Sequence, residues 1–212
     1  ILDVLMYAAV ARFTDLRPPR VDTNLFTYHL NVLRKMGMVI KTDKGYTLSL
    51  DGLSYVDRVS TEKKFIRTQP KIVTMLVVQN SEGDILLQRR TKQPYIDAWT
   101  LPYGKLHIED ISVRAAAIRE AEEKLHLAPI GIVHAGDCYI RVKQDEGVLS
   151  TTLVHVFRFE TDVVQETEKL VWARPHKLGT FMLAPAVEEI MTRTFFKDNF
   201  FFEEFTVDWY NE

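Results

Sequence analysis

Cysteine is almost absent from this chain of 212 residues; Cys138 is its one example. A single thiol excludes an internal disulfide and supplies one of the four ligands that a structural zinc site needs. Long apolar runs are missing too. No stretch approaches the ~18 residues of a membrane span, and no basic-then-apolar signal pattern opens the chain. Nor is there a large charge of one sign: 27 Lys+Arg stand against 29 Asp+Glu, leaving −2 at pH 7, which argues against bulk polyanion binding. No internal repeat or low-complexity tract is visible. These absences point to a protein of the reducing cytoplasm with no membrane partner. Ile1 rather than Met stands first, as expected where the natural start lies upstream.

What is present describes an ordinary globular chain, 46% hydrophobic and 26% charged, long enough for one large domain or two small ones. The charge is unevenly spread. Residues 1–66 hold 10 Lys+Arg against 7 Asp+Glu, or +3, and residues 67–212 hold 17 against 22, or −5. A mildly basic head on an acidic body suits two modules that meet different partners.

The head reads as helices and a hairpin. Leu2, Leu5, Met6, Ala9, Val10 and Phe13 keep helical spacing from Ile1 to about Leu16, until Pro18 and Pro19 interrupt. Asp22-Thr23-Asn24 forms an N-cap cluster for a second helix that carries Leu25, Phe26, Leu30, Leu33 and Met36, with Gly37 as its stop. Met38–Lys41 and Tyr46–Leu50 alternate as strands about a turn at Asp43-Lys44-Gly45. Asp51 is placed to cap a closing helix through Val59.

This layout resembles the winged helix of bacterial repressors, with the stretch Asn24–Val39 matching the recognition helix and the first strand of the wing. The resemblance spans about residues 1–60 and implies DNA binding. Thr23, Asn24, Thr27, Tyr28, Asn31 and Arg34 are the residues such a helix would turn to a major groove, and Lys41 and Lys44 on the wing suit phosphates. His29 is expected to pack between helix and wing. A charge of +3 neutralises few phosphates, so binding calls for a homodimer. The alternative is a protein-interaction module with an ordinary solvated helix face.

Residues 61–70 read as a polar linker, and the pattern then turns to strands: Lys71–Val78, a turn at Ser81–Asp84, and Ile85–Arg90. Ser112 caps a helix to about His126. Two more strand runs lie near 131–142 and 149–159, with a last helix near 185–195. Residues 71–196 resemble the Nudix hydrolase domain, whose box has Gly, five residues, Glu, seven residues, Arg-Glu, two residues, Glu-Glu, one residue, Gly. Leu101-Pro102-Tyr103-Gly104-Lys105 matches the start of the box and Ala115–Leu127 its helix. Leu86–Arg90, Ala98–Pro102 and Val171–Leu178 also resemble family segments. The fold class implied is α+β: an N-terminal winged helix-turn-helix, then a Nudix α/β/α sandwich with a mixed sheet.

The resemblance implies a Mg²⁺ site for a nucleoside diphosphate linked to another group. A pyrophosphate needs its charge neutralised, and hard Mg²⁺ selects carboxylate oxygens and retains water. Glu120 and Glu123 share a helix face and are the catalytic and metal candidates. Arg119 matches the arginine that holds the carboxylates. The box is degenerate: Lys124 replaces the second Glu of the Glu-Glu pair, and His126 replaces the second Gly. The first acid is either Glu109 or Asp110, displaced by an insertion, or it is absent, and Lys124 is spaced to pair with Glu120. Both changes weaken Mg²⁺ binding. Arg89, Arg90 and Lys105 are candidate phosphate contacts, Trp99 or Tyr95 a candidate base-stacking ring, and Glu166 or Glu168 a candidate loop acid. Cys138 is expected to be inert.

Two functions follow. One is a DNA-binding transcriptional regulator that senses a nucleoside diphosphate derivative; parts of it resemble the Nudix-related regulators of NAD metabolism, with the domain order reversed. The other is a Mg²⁺-dependent Nudix hydrolase whose winged helix serves dimerisation or a partner. The tail, 197–212, is crowded with Phe200, Phe201, Phe202, Phe205, Trp209 and Tyr210, expected to pack on the core or across a dimer interface.

Overall fold

The computed structural model describes residues 1–59, 69–196 and 199–209. The chain divides into two compact units. The first is Ile1–Gln69 with Thr91–Ile96 and Gln144–Ser150, and the second is Pro70–Arg90, Asp97–Lys143 and Thr151–Glu212.

In the first unit, the expected opening helix is two single turns, α1 (Leu2–Leu5) and α2 (Phe13–Leu16). The break has a tertiary cause. Ala11 exchanges both backbone hydrogen bonds with Tyr46 at 2.9 Å, so its amide and carbonyl are no longer available to a helix. Helix α3 (Thr23–Lys35) begins where Asp22 Oδ1 accepts the amides of Asn24 and Leu25 at 2.8 and 3.0 Å. It ends before Gly37, whose φ of +72° suits glycine. Phe26 and Leu30 are its buried stripe, and Phe13 meets Phe26 edge to face at 5.1 Å. Strands β1 (Val39–Thr42) and β2 (Gly45–Leu48) pair antiparallel. Helix α4 (Leu50–Arg58) is capped by Ser49, not Asp51: its Oγ accepts the Gly52 amide at 3.0 Å. Gly52 has no room for a side chain, since a Cβ there would stand 2.1 Å from the Met38 carbonyl oxygen.

The second unit is built on a mixed sheet. Its elements are β3 (Lys71–Gln79), β4 (Ile85–Arg89), β5 (Trp99–Thr100), β6 (Tyr103–Lys105), α5 (Val113–Leu125), β7 (Val133–Gln144), β8 (Gly147–Glu160), β9 (Leu170–Ala173), α6 (Val187–Phe196) and β10 (Phe201–Asp208). The strand order is β10-β7-β8-β3-β4-β5, with β6 on β3 and β9 on β4. Strands β3 and β8 run parallel from Lys71 opposite Thr152 to Gln79 opposite Glu160. Ser112 caps α5 as expected, its Oγ accepting the Ala115 amide at 3.0 Å. The helix has small residues where it touches the sheet: Ala117 and Ala121 pack with Leu76, Val78, Leu86 and Phe157. This close approach holds the polar side of α5 beside β6.

The aromatic tail contains an ordered strand. Strand β10 pairs parallel with β7, Phe201 opposite Gly136, and buries Phe201 while Phe200 and Phe202 stay exposed. Most of the expected linker lies outside the described residues, as does Tyr210. No helix among the described residues is long and apolar enough to cross a membrane.

Candidate functional site

Arg119, on α5, is the centre of a charged cluster. Its Nε and Nη2 donate to the two oxygens of Asp110 at 2.9 Å each, a bidentate pair. Its Nη1 donates to Glu120 Oε1 at 2.7 Å and faces Glu123 Oε1 at 3.4 Å. Nη2 also donates to the Lys105 carbonyl at 3.0 Å, tying helix to strand β6. The Arg119 hydrogen bonds hold the Asp110 carboxyl down to about 2 from 3.8. Asp110, followed by Glu120, raises the pKa of Arg119. Of the two acids left open by the spacing, Asp110 meets Arg119, whereas Glu109 is exposed. The extra residue is absorbed by the turn before α5, where Asp110 also accepts the His107 amide at 2.7 Å.

Glu120 is buried, with 3% of its surface exposed, and both of its oxygens face cations. Lys124 Nζ lies 3.4 Å from Oε2 while Arg119 holds Oε1. Gly104 makes the space: a Cβ at that position would fall 1.7–1.9 Å from the Glu120 carboxylate atoms. A side chain at the box glycine would force the Glu120 carboxylate to move.

Tyr103, next to Gly104, is the site residue that sequence reasoning did not single out. Its hydroxyl accepts a hydrogen bond from Arg90. Arg90 and Lys124 stand over its ring at 5.4 and 4.9 Å from the centroid. Burial acts to raise the phenol pKa, yet the charges of Arg90, Lys71 and Lys124 outweigh it, so the pKa lies below the usual value. The signal in the sequence was adjacency to the box glycine; the convergence of Arg90 and Lys124 comes from three separate segments.

Other candidates are placed elsewhere. Arg89 pairs with Asp97 at 3.0 Å and is half exposed, as alternation along β4 requires once Arg90 turns inward. Trp99 meets Phe181 edge to face at 5.7 Å. The Lys105 side chain is exposed while its carbonyl serves Arg119. Glu166 accepts the Trp172 amide at 2.7 Å, and the Tyr95 hydroxyl meets Ser150 at 2.9 Å. Cys138 is buried, and that burial with the charges of Asp137 and Glu203 pushes its thiol up to about 12, the chemistry of an inert thiol.

On α3, Thr23, Asn24, Tyr28, Asn31 and Arg34 are exposed, as are Lys41 and Lys44 on the hairpin. Thr27 is half-buried and spends its hydroxyl on the Thr23 carbonyl at 2.7 Å. His29 is exposed beside Tyr28, ring centroids 5.3 Å apart. It sits outside the Phe26–Leu30 stripe, which corrects its expected packing role.

The family model of the NUDIX domain matches residues 69–194. The chain belongs to the Nudix family. No curated protein matches the chain. Among solved structures, a MutT protein from Bacillus halodurans is 17% identical with a TM-score of 0.53, covering 64% of this chain and 89% of that one. NrtR of Shewanella oneidensis is 14% identical with a TM-score of 0.50, covering 58% of this chain and 60% of its own. The same NrtR complexed with a 27mer DNA gives the same identity and score over 59% of its length. These likenesses are ones of fold.

The Nudix family implies a divalent metal. As arranged, the carboxylates do not fit Mg²⁺ well: both Asp110 oxygens lie on Arg119, and both Glu120 oxygens face Arg119 or Lys124. Glu123 and Glu109, both exposed, are a thin donor set for an ion that favours several hard oxygens.

Proposed function

We propose that this chain is a DNA-binding regulator whose Nudix domain binds a nucleoside diphosphate derivative and turns it over poorly. The observation that carries this reading is Lys124 on Glu120 at 3.4 Å. An ammonium sits against the carboxylate that the family devotes to metal, so the charge that gathers Mg²⁺ is neutralised from within. The same arrangement favours an anion nearby. Arg90, Lys71 and Lys124 surround Tyr103 closely enough to depress its pKa, and such a gathering of cations suits the oxygens of a diphosphate without a bridging metal.

The DNA half of the proposal rests on α3 and the hairpin after it. An exposed row of Thr23, Asn24, Tyr28, Asn31 and Arg34 followed by Lys41 and Lys44 has the donors and acceptors that read base edges and phosphates in a major groove. With +3 on residues 1–66, affinity depends on pairing two copies, so a homodimer belongs to the proposal. The nucleotide regulates DNA binding by preferring one of two conformations, since equal affinity for both shifts nothing.

The runner-up is a Mg²⁺-dependent hydrolase acting on the same ligand class, favoured by the survival of Asp110, Glu120 and Glu123 around Arg119. One experiment separates the two. A panel of nucleoside diphosphate compounds, including ADP-ribose and NAD, is incubated with stoichiometric protein and Mg²⁺ and then chromatographed. The regulator reading expects intact compounds, one retained on desalting and altering the mobility of bound DNA. Monophosphate products at enzymatic rates would overturn it. In that assay Lys124→Glu is expected to create or raise Mg²⁺-dependent hydrolysis; unchanged rate and metal affinity refute the role given to Lys124.

A further inference from the structure

We infer that His134, Asp137 and His155 form a binding site for a divalent transition-metal ion of the zinc type, separate from the Arg119 cluster. His134 and Asp137 lie on β7 and His155 on the neighbouring β8. Both imidazoles converge on one carboxylate oxygen: His134 Nε2 stands 2.8 Å and His155 Nδ1 2.7 Å from Asp137 Oδ1. The three ligand atoms lie within 4.8 Å of one another. An ion bound at about 2.0–2.1 Å from each would space tetrahedral ligands about 3.3 Å apart. From 2.8 and 2.7 Å the two oxygen–nitrogen pairs open slightly to reach that spacing. Each imidazole then carries its proton on its other ring nitrogen.

The surroundings suit a built site. The ring of His134 stacks on Phe157 at 4.5 Å and 13° and takes the edge of Phe200 at 5.1 Å, while His155 meets it edge to face at 5.7 Å. The side chains of His134, Asp137 and His155 keep 27%, 22% and 16% exposure, so the site is held by aromatic packing yet reachable by solvent.

Two imidazoles and one carboxylate select borderline ions such as Zn²⁺ over Mg²⁺, and three protein ligands leave a position open. This inference stands apart from the reading of the Arg119 cluster; either can fail alone.

The test is titration of the chelator-treated chain with Co²⁺, followed by its visible d–d bands. One equivalent is expected to bind with nitrogen and oxygen coordination, to be displaced by one equivalent of Zn²⁺, and to survive excess Mg²⁺. Asp137→Asn and His155→Gln are each expected to weaken Co²⁺ at least as much as loss of an outer-shell partner does, about 10–100-fold. Glu123→Gln keeps it. Absence of cobalt bands in the wild-type chain, a result independent of how the variants fold, reduces the site to a hydrogen-bonded cluster and overturns the inference. Binding that persists in both ligand variants overturns it as well.

Discussion

Replacing Arg119 with Gln removes the cation that three carboxylates share. The loss is calculable from its contacts. The bidentate pair with Asp110 at 2.9 Å and the bond to Glu120 at 2.7 Å are charge-assisted bonds, each contributing about 1.5–3 kcal/mol. The 3.4 Å approach to the exposed Glu123 adds little. Breaking a buried pair costs about 3–5 kcal/mol. Arg119 keeps 22% exposure and Glu120 retains Lys124, so the lower end applies, about 3 kcal/mol. For a chain of this size that lowers Tm by about 6–12 °C.

Charge is the stated cause, so the deficit depends on pH. Asp110 titrates at about 2 when folded, against 3.8 ordinarily. Its contribution is therefore fully present above the unfolded value and is lost as pH falls through about 2. The Gln variant loses that depression, and the stability gap between the two proteins closes between about pH 4 and 2. Urea unfolding of both proteins from pH 7 downward measures it. A gap under about 1 kcal/mol at pH 7, against the 3–5 kcal/mol of a broken buried pair, or one of constant size down to pH 2.5, would mean that the Arg119–Asp110 pair does not stabilise the fold.

Gly104→Ala places a Cβ under 2 Å from the Glu120 carboxylate and is expected to destabilise by at least the ~1–3 kcal/mol of overpacking; adding Glu120→Ala should relieve part of that clash, which a double-mutant cycle detects as strong non-additivity. His126 holds a left-handed φ of +56° at the end of α5, where the family has glycine, so His126→Gly is expected to raise stability by about 1 kcal/mol in thermal unfolding. Lys44→Ala, on the exposed hairpin turn, should weaken DNA binding evenly across sequences and reduce the salt slope by about 1 in anisotropy titrations, leaving nucleotide retention unchanged.

Much of the local structure was legible. Ser112 caps the helix it was expected to cap, and Asp22 does so from within the expected Asp22-Thr23-Asn24 cluster, because an N-cap needs only a short acceptor at the right offset. Lys124 pairs with Glu120 as i,i+4 spacing on one helix predicts. The opening helix was misread because Ala11 gives its backbone bonds to Tyr46, a partner 35 residues on. Asp51 lost the cap of α4 to Ser49, a two-residue shift set by how the hairpin delivers the chain. The tail, expected to pack on the core or across a dimer interface, contains an edge strand paired with β7.

Helical spacing and capping act within a few residues, so most of the periodic elements, the box and its departures were readable along the chain. Folding set which acid meets Arg119, brought Arg90 and Lys124 onto Tyr103, and turned His134 and His155 to one oxygen of Asp137. Those meetings depend on loop path and strand order, which bring together side chains whose separation along the chain carries no period.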